Sequence, residues 1–197
     1  MSEKSNTFIF FGKSGSGKGT QAELLIEKLK EKGNEVIYIE TGKRFREFIE
    51  KEGNHSSKLT KEALNHGELM PVFLPIWLWT SAFVEEFTGT ESLVLDGLAR
   101  RMTEAPVLDS ALRFYDRLPC HIVHIDVSRE WAFDRLKSRG RADDTDEYIN
   151  SRLDWFEKDV EPVIEYFEER KGFSLHTING EQSIEDVHVE LIKKLNL

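Results

Sequence analysis

The sequence predicts a three-layer α/β fold, with a five-stranded parallel sheet between two layers of helices, and three observations carry that prediction. Short apolar runs alternate with longer amphipathic ones along the 197 residues, the pattern of crossover units in a parallel sheet. The first run, Phe8 to Phe11, is apolar without alternation, as expected of a strand buried on both faces. A glycine-rich stretch then leads into an amphipathic segment, Gln21 to Lys32, with Leu24, Leu25 and Leu29 at helical spacing. Strand, glycine-rich loop and helix in that order is the context that gives a phosphate-binding loop its meaning.

Taken in order, the strands are expected at Thr7–Phe11, Glu35–Ile39, Ser92–Leu95, Cys120–Val127 and Phe173–Ile178. Helices are expected near 19–32, 43–52, 58–66, 72–87, 104–116, 129–139, 146–170 and 183–195. The helix following the second strand begins after Thr41, a residue suited to cap it. Gly67 and Pro71 end one helix and start the next. The stretch Val72 to Val84 is the longest apolar one; it contains Pro75 and is too short to span a bilayer. It reads as a buried helix, with Trp77 and Trp79 as the residues that a partner surface would use.

Composition bounds the rest. Hydrophobic residues at 39 % and charged residues at 32 % describe one soluble globular domain spanning 1–197. A net charge of −9 argues against nucleic-acid partners, whose backbones demand dense positive charge, but leaves room for a small anion in a local basic pocket. Cys120 is the single cysteine, so a reducing compartment, the cytoplasm, is expected. The first residues carry no apolar signal core, and no membrane association is expected. His121 and His124 are three apart in a strand and point to opposite faces, so they cannot readily share a metal ion.

The glycine-rich loop runs Gly12-Lys13-Ser14-Gly15-Ser16-Gly17-Lys18-Gly19-Thr20. Gly12, Gly15 and Gly17 allow the backbone to turn its N–H groups around a phosphate at a helix N-terminus, and Lys18 reaches the outer phosphates. The general P-loop NTPase pattern wants Ser or Thr directly after the lysine; here Gly19 intervenes before Thr20. Gly-Lys-Gly-Thr-Gln resembles the variant found in the nucleoside monophosphate kinases, the adenylate kinase family above all. Thr41-Gly42 with Arg46 matches that family's Thr-Gly-x-x-x-Arg, and Gly67-Glu68-Leu69-Met70-Pro71 is similar to the segment that lines the acceptor base and ribose. Asp96-Gly97-Leu98-Ala99-Arg100 resembles its Asp-Gly-Phe-Pro-Arg, with Leu98 and Ala99 departing and the rigid proline turn lost. The basic run Arg135, Arg139, Arg141 and Arg152 sits at the spacings of the family's lid arginines.

The resemblance covers essentially the whole chain and implies a helical monophosphate-binding segment over 41–72 and a short lid over 139–146. It implies reversible transfer of the γ-phosphoryl of MgATP to AMP, giving two ADP, by a cytoplasmic, monomeric enzyme of nucleotide biosynthesis. The implied ATP-binding residues are Gly12, Ser14, Gly15, Ser16, Gly17, Lys18, Gly19 and Thr20, with Arg135 on the donor base, Arg139 on its phosphates and the backbone at Gln182 meeting its adenine. The implied acceptor residues are Thr41, Gly42, Arg46, Leu69, Met70, Gly97, Arg100, Glu104, Arg141 and Arg152. Lys18, Arg100, Arg139, Arg141 and Arg152 are the implied catalytic set, oriented in part by Asp143 and Asp144, and Asp96 holds Mg²⁺ through water. The four-cysteine zinc lid of some long members is absent, so no structural zinc is expected. Glu104 stands where the family places an adenine-reading glutamine; a carboxylate only accepts hydrogen bonds, which suits guanine better. GMP, or several monophosphates, is therefore an alternative acceptor, and the changes at Leu98 and Ala99 raise a second alternative, an inactive nucleotide-binding regulatory module.

Overall fold

The computed structural model describes residues 6–51, 53–65, 70–140 and 144–197. Its strands are β1 (Thr7–Phe11), β2 (Val36–Glu40), β3 (Ser92–Asp96), β4 (Cys120–Asp126) and β5 (Phe173–Asn179). Its helices are α1 (Lys18–Glu31), α2 (Thr41–Lys51), α3 (His55–Asn65), α4 (Phe73–Glu86), α5 (Ala105–Phe114), α6 (Arg129–Arg139), α7 (Asp146–Trp155), α8 (Glu161–Glu168) and α9 (Ile184–Leu195). The sheet is parallel throughout, in the order β2-β3-β1-β4-β5.

Central β1 is buried along its whole length, as its unbroken apolar run requires. Phe8 and Phe10 pack on one face with Leu25 and Leu29 of α1 and Leu191 of α9. Ile9 and Phe11 pack on the other with Trp79 and Phe83 of α4, Leu108 of α5 and Phe167 of α8. Each such side chain removed from water contributes about 1.5–3 kcal/mol, which makes the sheet a rigid base for what lies at its edge. The chain steps outward from β1 to β2, returns to β3 and then crosses to β4. The direction of winding thus reverses beside β1, and a crevice opens there at the carboxyl ends of the strands. Two smaller apolar clusters lie off the sheet: Phe45 and Phe48 of α2 with Met70, Leu74 and Leu78, and Ala132 and Leu136 of α6 with Ile149 and Leu153 of α7.

Beyond shifts of a few residues at the element ends, three features differ from expectation. The helix expected over 146–170 is α7, a π-helical turn at Phe156–Val160, and α8. Pro162 is the second residue of α8 and has no N–H for the carbonyl four residues back, so the helix changes register where that bond is missing. Strand β2 runs one residue further than expected, to Glu40, and α2 starts directly after it at Thr41. The apolar helix α4 is buried on one side only, with Trp79 fully inside while Phe73, Trp77 and Val84 are exposed. Among the described residues no helix is long and apolar enough to cross a membrane.

The histidines of β4 do face opposite ways. His121 stacks on Phe8 with its Nδ1 3.1 Å from His176 Nε2, whereas His124 stacks on Phe156. Cys120 is a free, buried thiol whose pKa burial pushes up. No group of three or more potential metal-ligating side chains occurs among the described residues.

Candidate active site

The loop between β1 and α1 is shaped by its glycines. Gly15 has φ +87°, and a Cβ there would meet the Ala132 carbonyl oxygen at 2.7 Å, so both backbone handedness and close approach exclude a side chain. Gly17 caps α1 in a left-handed conformation, and the first turn of α1 carries no acidic residue. Helices α6, α7 and α9, by contrast, are capped by Ser128, Thr145 and Ser183, each accepting from a backbone N–H. The N–H groups and partial positive charge at the head of α1 are thereby left for an anion. Ser16 Oγ, inside this loop, is buried and has no hydrogen-bond partner among the described residues. Unsatisfied buried hydroxyls are costly and ask for a ligand.

Opposite the loop stands Asp96, the last residue of β3, in register with Phe10 of β1 and Glu40 of β2. It is buried, and its Oδ2 accepts from the Tyr38 hydroxyl at 3.3 Å. Burial pushes its pKa up, while the neighbouring Lys18 and Arg100 charges pull it back. Lys18 shows the mirror behaviour: desolvation lowers its pKa, Asp96 opposes that, and Arg100 and Arg139 reinforce it. Arg100 is held by a hydrogen bond from its Nε to the Gly97 carbonyl at 2.9 Å, and its guanidinium lies over the Trp155 ring. A cleft of about 310 Å³ brings Gly12, Ser14, Lys18, Gly97 and Arg100 together against Trp155 and Phe156. Hard oxygen donors suit Mg²⁺, and a carboxylate beside a phosphate loop and a lysine fits a water-mediated magnesium ion.

On the side of β2, Thr41 is buried and its hydroxyl likewise has no partner among the described residues. Arg46 donates to Glu40 at 3.1 Å, and Gly42 leaves just enough room, since a Cβ there would lie 3.3 Å from Arg46 Nη1. Met70 is buried and its carbonyl accepts from Arg101 Nη1 at 2.6 Å. Leu69 lies outside the described residues. Glu104 is 3 % exposed and turned inward, its Oε2 accepting the backbone N–H of Arg100 at 3.1 Å. Burial raises its pKa, partly offset by that hydrogen bond and by the Arg100 and Arg101 charges. Leu98 and Ala99 are fully buried, and Ala99 adopts φ +50°. These departures from the family pattern therefore fall in the core under the site and remove no charge from it.

On the other side, the buried Asp144 carboxylate binds Arg139 in a two-pronged fork, 2.9 and 2.7 Å, and also accepts from Arg152 at 3.1 Å. Arg135 is exposed and lies over Trp131. The Gln182 side chain donates to the Asn179 carbonyl and to Glu190, which leaves its backbone as the part available to a ligand. Gly19 and Thr20 form the first turn of α1, with Gly19 packed against Asp96. Arg141 and Asp143 lie outside the described residues. Sequence reasoning missed Tyr38, Lys13, Arg101 and Trp155. Of these only Trp155 left a trace, as half of an aromatic pair three residues past Arg152.

A phosphate loop facing a strand-end aspartate and a ring of arginines is shared by many nucleotide-binding proteins, and similarity narrows the choice. The family model described as Adenylate kinase matches residues 10–172. The chain is 35 % identical over 183 residues to Adenylate kinase 1 of Nostoc sp., covering 93 % of this chain and 95 % of that protein. It is 31 % identical over 188 residues to Adenylate kinase of Prochlorococcus marinus, covering 95 % and 97 %. It is 32 % identical over 187 residues to Adenylate kinase of Mycolicibacterium smegmatis, again covering 95 % and 97 %. The match runs from the glycine-rich loop through the arginines of 135–152 to the edge of β5, and so this chain belongs to the adenylate kinase family.

Proposed function

We propose that this enzyme transfers the γ-phosphoryl group of MgATP to AMP, reversibly, giving two ADP. The observation that carries the reading is that Lys18 and Arg100 line one cleft at the carboxyl edge of the sheet, with the buried Asp96 carboxylate beside them, below an uncapped helix N-terminus. The acceptor phosphate is already an anionic nucleophile at neutral pH, so the site needs no general base. Its task is alignment and charge compensation.

In this reading the N–H groups of the loop and Lys18 hold the donor phosphates, with the free Ser16 hydroxyl as an additional donor. Arg46 and Arg100 clamp the acceptor phosphate, and Thr41 and Gly42 bring the acceptor nucleotide close to the end of β2. Arg139 and Arg152, set by their shared Asp144, neutralise charge on the transferring group from the other side, joined by Arg141. Asp96 would hold Mg²⁺ through water, and the ion when bound screens the charge between donor phosphates. Closure of the 41–72 segment and of the 139–146 lid excludes water that would otherwise consume ATP. The same reading takes the chain to work as a cytoplasmic monomer in nucleotide biosynthesis, with ATP and AMP as its partners.

The test is initial rates with MgATP against AMP, GMP, CMP and UMP, reading diphosphate directly. The expected result is a strong preference for AMP. Broad or GMP-preferring transfer would overturn the acceptor assignment, and tight ATP binding without transfer to any of the four would overturn the catalytic reading.

A further inference from the structure

Two consecutive aromatic residues sit where α7 gives way to the π-helical turn, and each lies under a cation from a different loop. The Arg100 guanidinium carbon is 5.7 Å from the centroid of the Trp155 ring, and Lys13 Nζ is 5.2 Å from that of Phe156. Both rings line the cleft that holds Lys18 and Gly97. Lys13 has a further partner in Glu161, at 3.9 Å, and is tied to α8 whichever way Phe156 acts. Arg100 is different. Among the described residues its side chain has one hydrogen bond, from Nε to Gly97, and Gly97 sits so close that a Cβ would be 2.4 Å from Nη2. The face of the guanidinium rests on the indole. The Asp96 and Glu104 charges attract the fork but do not fix its plane, and the indole is the flat surface against which that plane is set.

We propose that Trp155 is a positioning residue for Arg100: its indole face holds the guanidinium in the cleft before the acceptor phosphate arrives. Tryptophan is the strongest of the aromatic faces for a cation, and this contact is half-buried at the wall of the cleft. Trp155 also ends the helix that carries Arg152, three residues earlier. One rigid element therefore sets both arginines, Arg152 through Asp144 at its head and Arg100 through the indole at its foot. An arginine fixed beforehand stabilises developing charge without reorganisation at the moment of transfer.

The inference rests on the phosphotransfer reading, and the experiment separates the two. AMP is varied at saturating MgATP, and MgATP at saturating AMP, for wild type, Trp155→Leu, Trp155→Phe, Arg100→Ala and the double variant Trp155→Leu/Arg100→Ala. A wild type without AMP-dependent turnover fails the phosphotransfer reading itself. With an active wild type, Trp155→Leu is expected to raise the KM for AMP about fivefold and to lower kcat, with the KM for MgATP within about twofold of wild type. Trp155→Phe is expected to recover most of the loss, and in the Arg100→Ala background Trp155→Leu should add nothing. Equal losses in both backgrounds, or a parallel rise in both KM values, would overturn the positioning role. Should Trp155→Leu fail to fold, Trp155→Met, which keeps bulk but has no aromatic face, carries the test: a rise in the AMP KM alone supports the role, and unchanged AMP kinetics refute it.

Discussion

Ala99 offers a perturbation whose obvious version should fail. The family pattern has proline at this position, and replacement of Ala99 by proline would look like restoration of a consensus. The backbone forbids it. Ala99 holds φ +50°, whereas proline is locked near −65°, so the substitution demands a swing of about 115° at a fully buried residue. The next N–H in the chain, that of Arg100, is the one bonded to Glu104 at 3.1 Å, and a rotation of that size breaks it. Loss of the bond leaves a buried carboxylate short of a partner, which costs about 1–3 kcal/mol, and the forced backbone change adds a similar amount. A total of about 4 kcal/mol lowers the Tm of a chain of this length by about 8–16 °C. Because Arg100 moves with its own backbone, Ala99→Pro should also raise the KM for AMP more than that for MgATP. Ala99→Gly is the control. Glycine relieves a left-handed alanine worth about 1–2 kcal/mol and gives back a comparable amount in chain entropy and a lost buried methyl, so little net change is expected. Thermal unfolding by circular dichroism, with steady-state rates beside it, decides the matter. A proline variant with wild-type Tm and wild-type AMP kinetics would refute the reasoning.

Other expectations follow from the same geometry. Lys18→Ala and Arg100→Ala should each lower turnover at least about a hundredfold with the circular dichroism spectrum unchanged, and near-normal turnover in either would remove that residue from the catalytic set. Asp144→Asn keeps the shape of the buried carboxylate but loses its charge between Arg139 and Arg152. Since Arg139 is about a third exposed, the charged bonds are discounted for solvent, and a loss of about 2 kcal/mol with a raised KM for MgATP is expected; a Tm within a degree or so of wild type would argue against the fork. Burial lowers the pKa of His121, His124, His176 and His188. The unfolded chain then takes up more protons than the folded one below its own histidine value of about 6.5, so the contribution of neutral histidines is present above that pH and lost as pH falls. The buried Asp96 and Glu104 carboxyls, whose pKa values burial raises, act the other way. The histidine share is therefore isolated by His124→Asn, in which the urea midpoint should fall less between about pH 7.5 and pH 5.5 than in wild type; an identical pH profile would contradict it.

The fold was legible because its signals are local and redundant. An unbroken apolar run announces a central strand, glycines mark the loop, and helical spacing marks α1; each is read from a dozen neighbouring residues. The break in the long helix after α7 had a local cause as well, Pro162, but a proline early in a helix is also an ordinary start signal. What distinguishes a new helix from a register change is whether the chain bends away, and that depends on the packing of Phe156 and Val160 against the sheet core. The exposed side of α4 was likewise hidden, since Phe73, Trp77 and Val84 are as apolar as the residues they alternate with.

In the site, residue types were legible and directions were not. Lys18, Asp96 and Arg100 follow strand ends, where topology alone aims them at one crevice. Glu104 follows no strand. Its carboxylate was read by its chemistry, an acceptor suited to guanine, and in the structure its Oε2 accepts from the main chain of Arg100. The same inventory of acceptors serves a base edge or a backbone N–H equally well; the left-handed turn at Ala99 presents that N–H to it, and no composition rule foretells a left-handed alanine. Trp155 is the converse case. An aromatic residue at the end of a helix is ordinarily core, and only the approach of Arg100 from a loop some fifty residues earlier turns its face into part of the site. With one oxygen of Glu104 engaged by the Arg100 N–H, the expectation is that other groups set the acceptor choice. Glu104→Gln, which keeps an acceptor for the Arg100 N–H, should leave the order of preference among AMP, GMP, CMP and UMP unchanged, and a shift of that order toward AMP would restore Glu104 as a base reader.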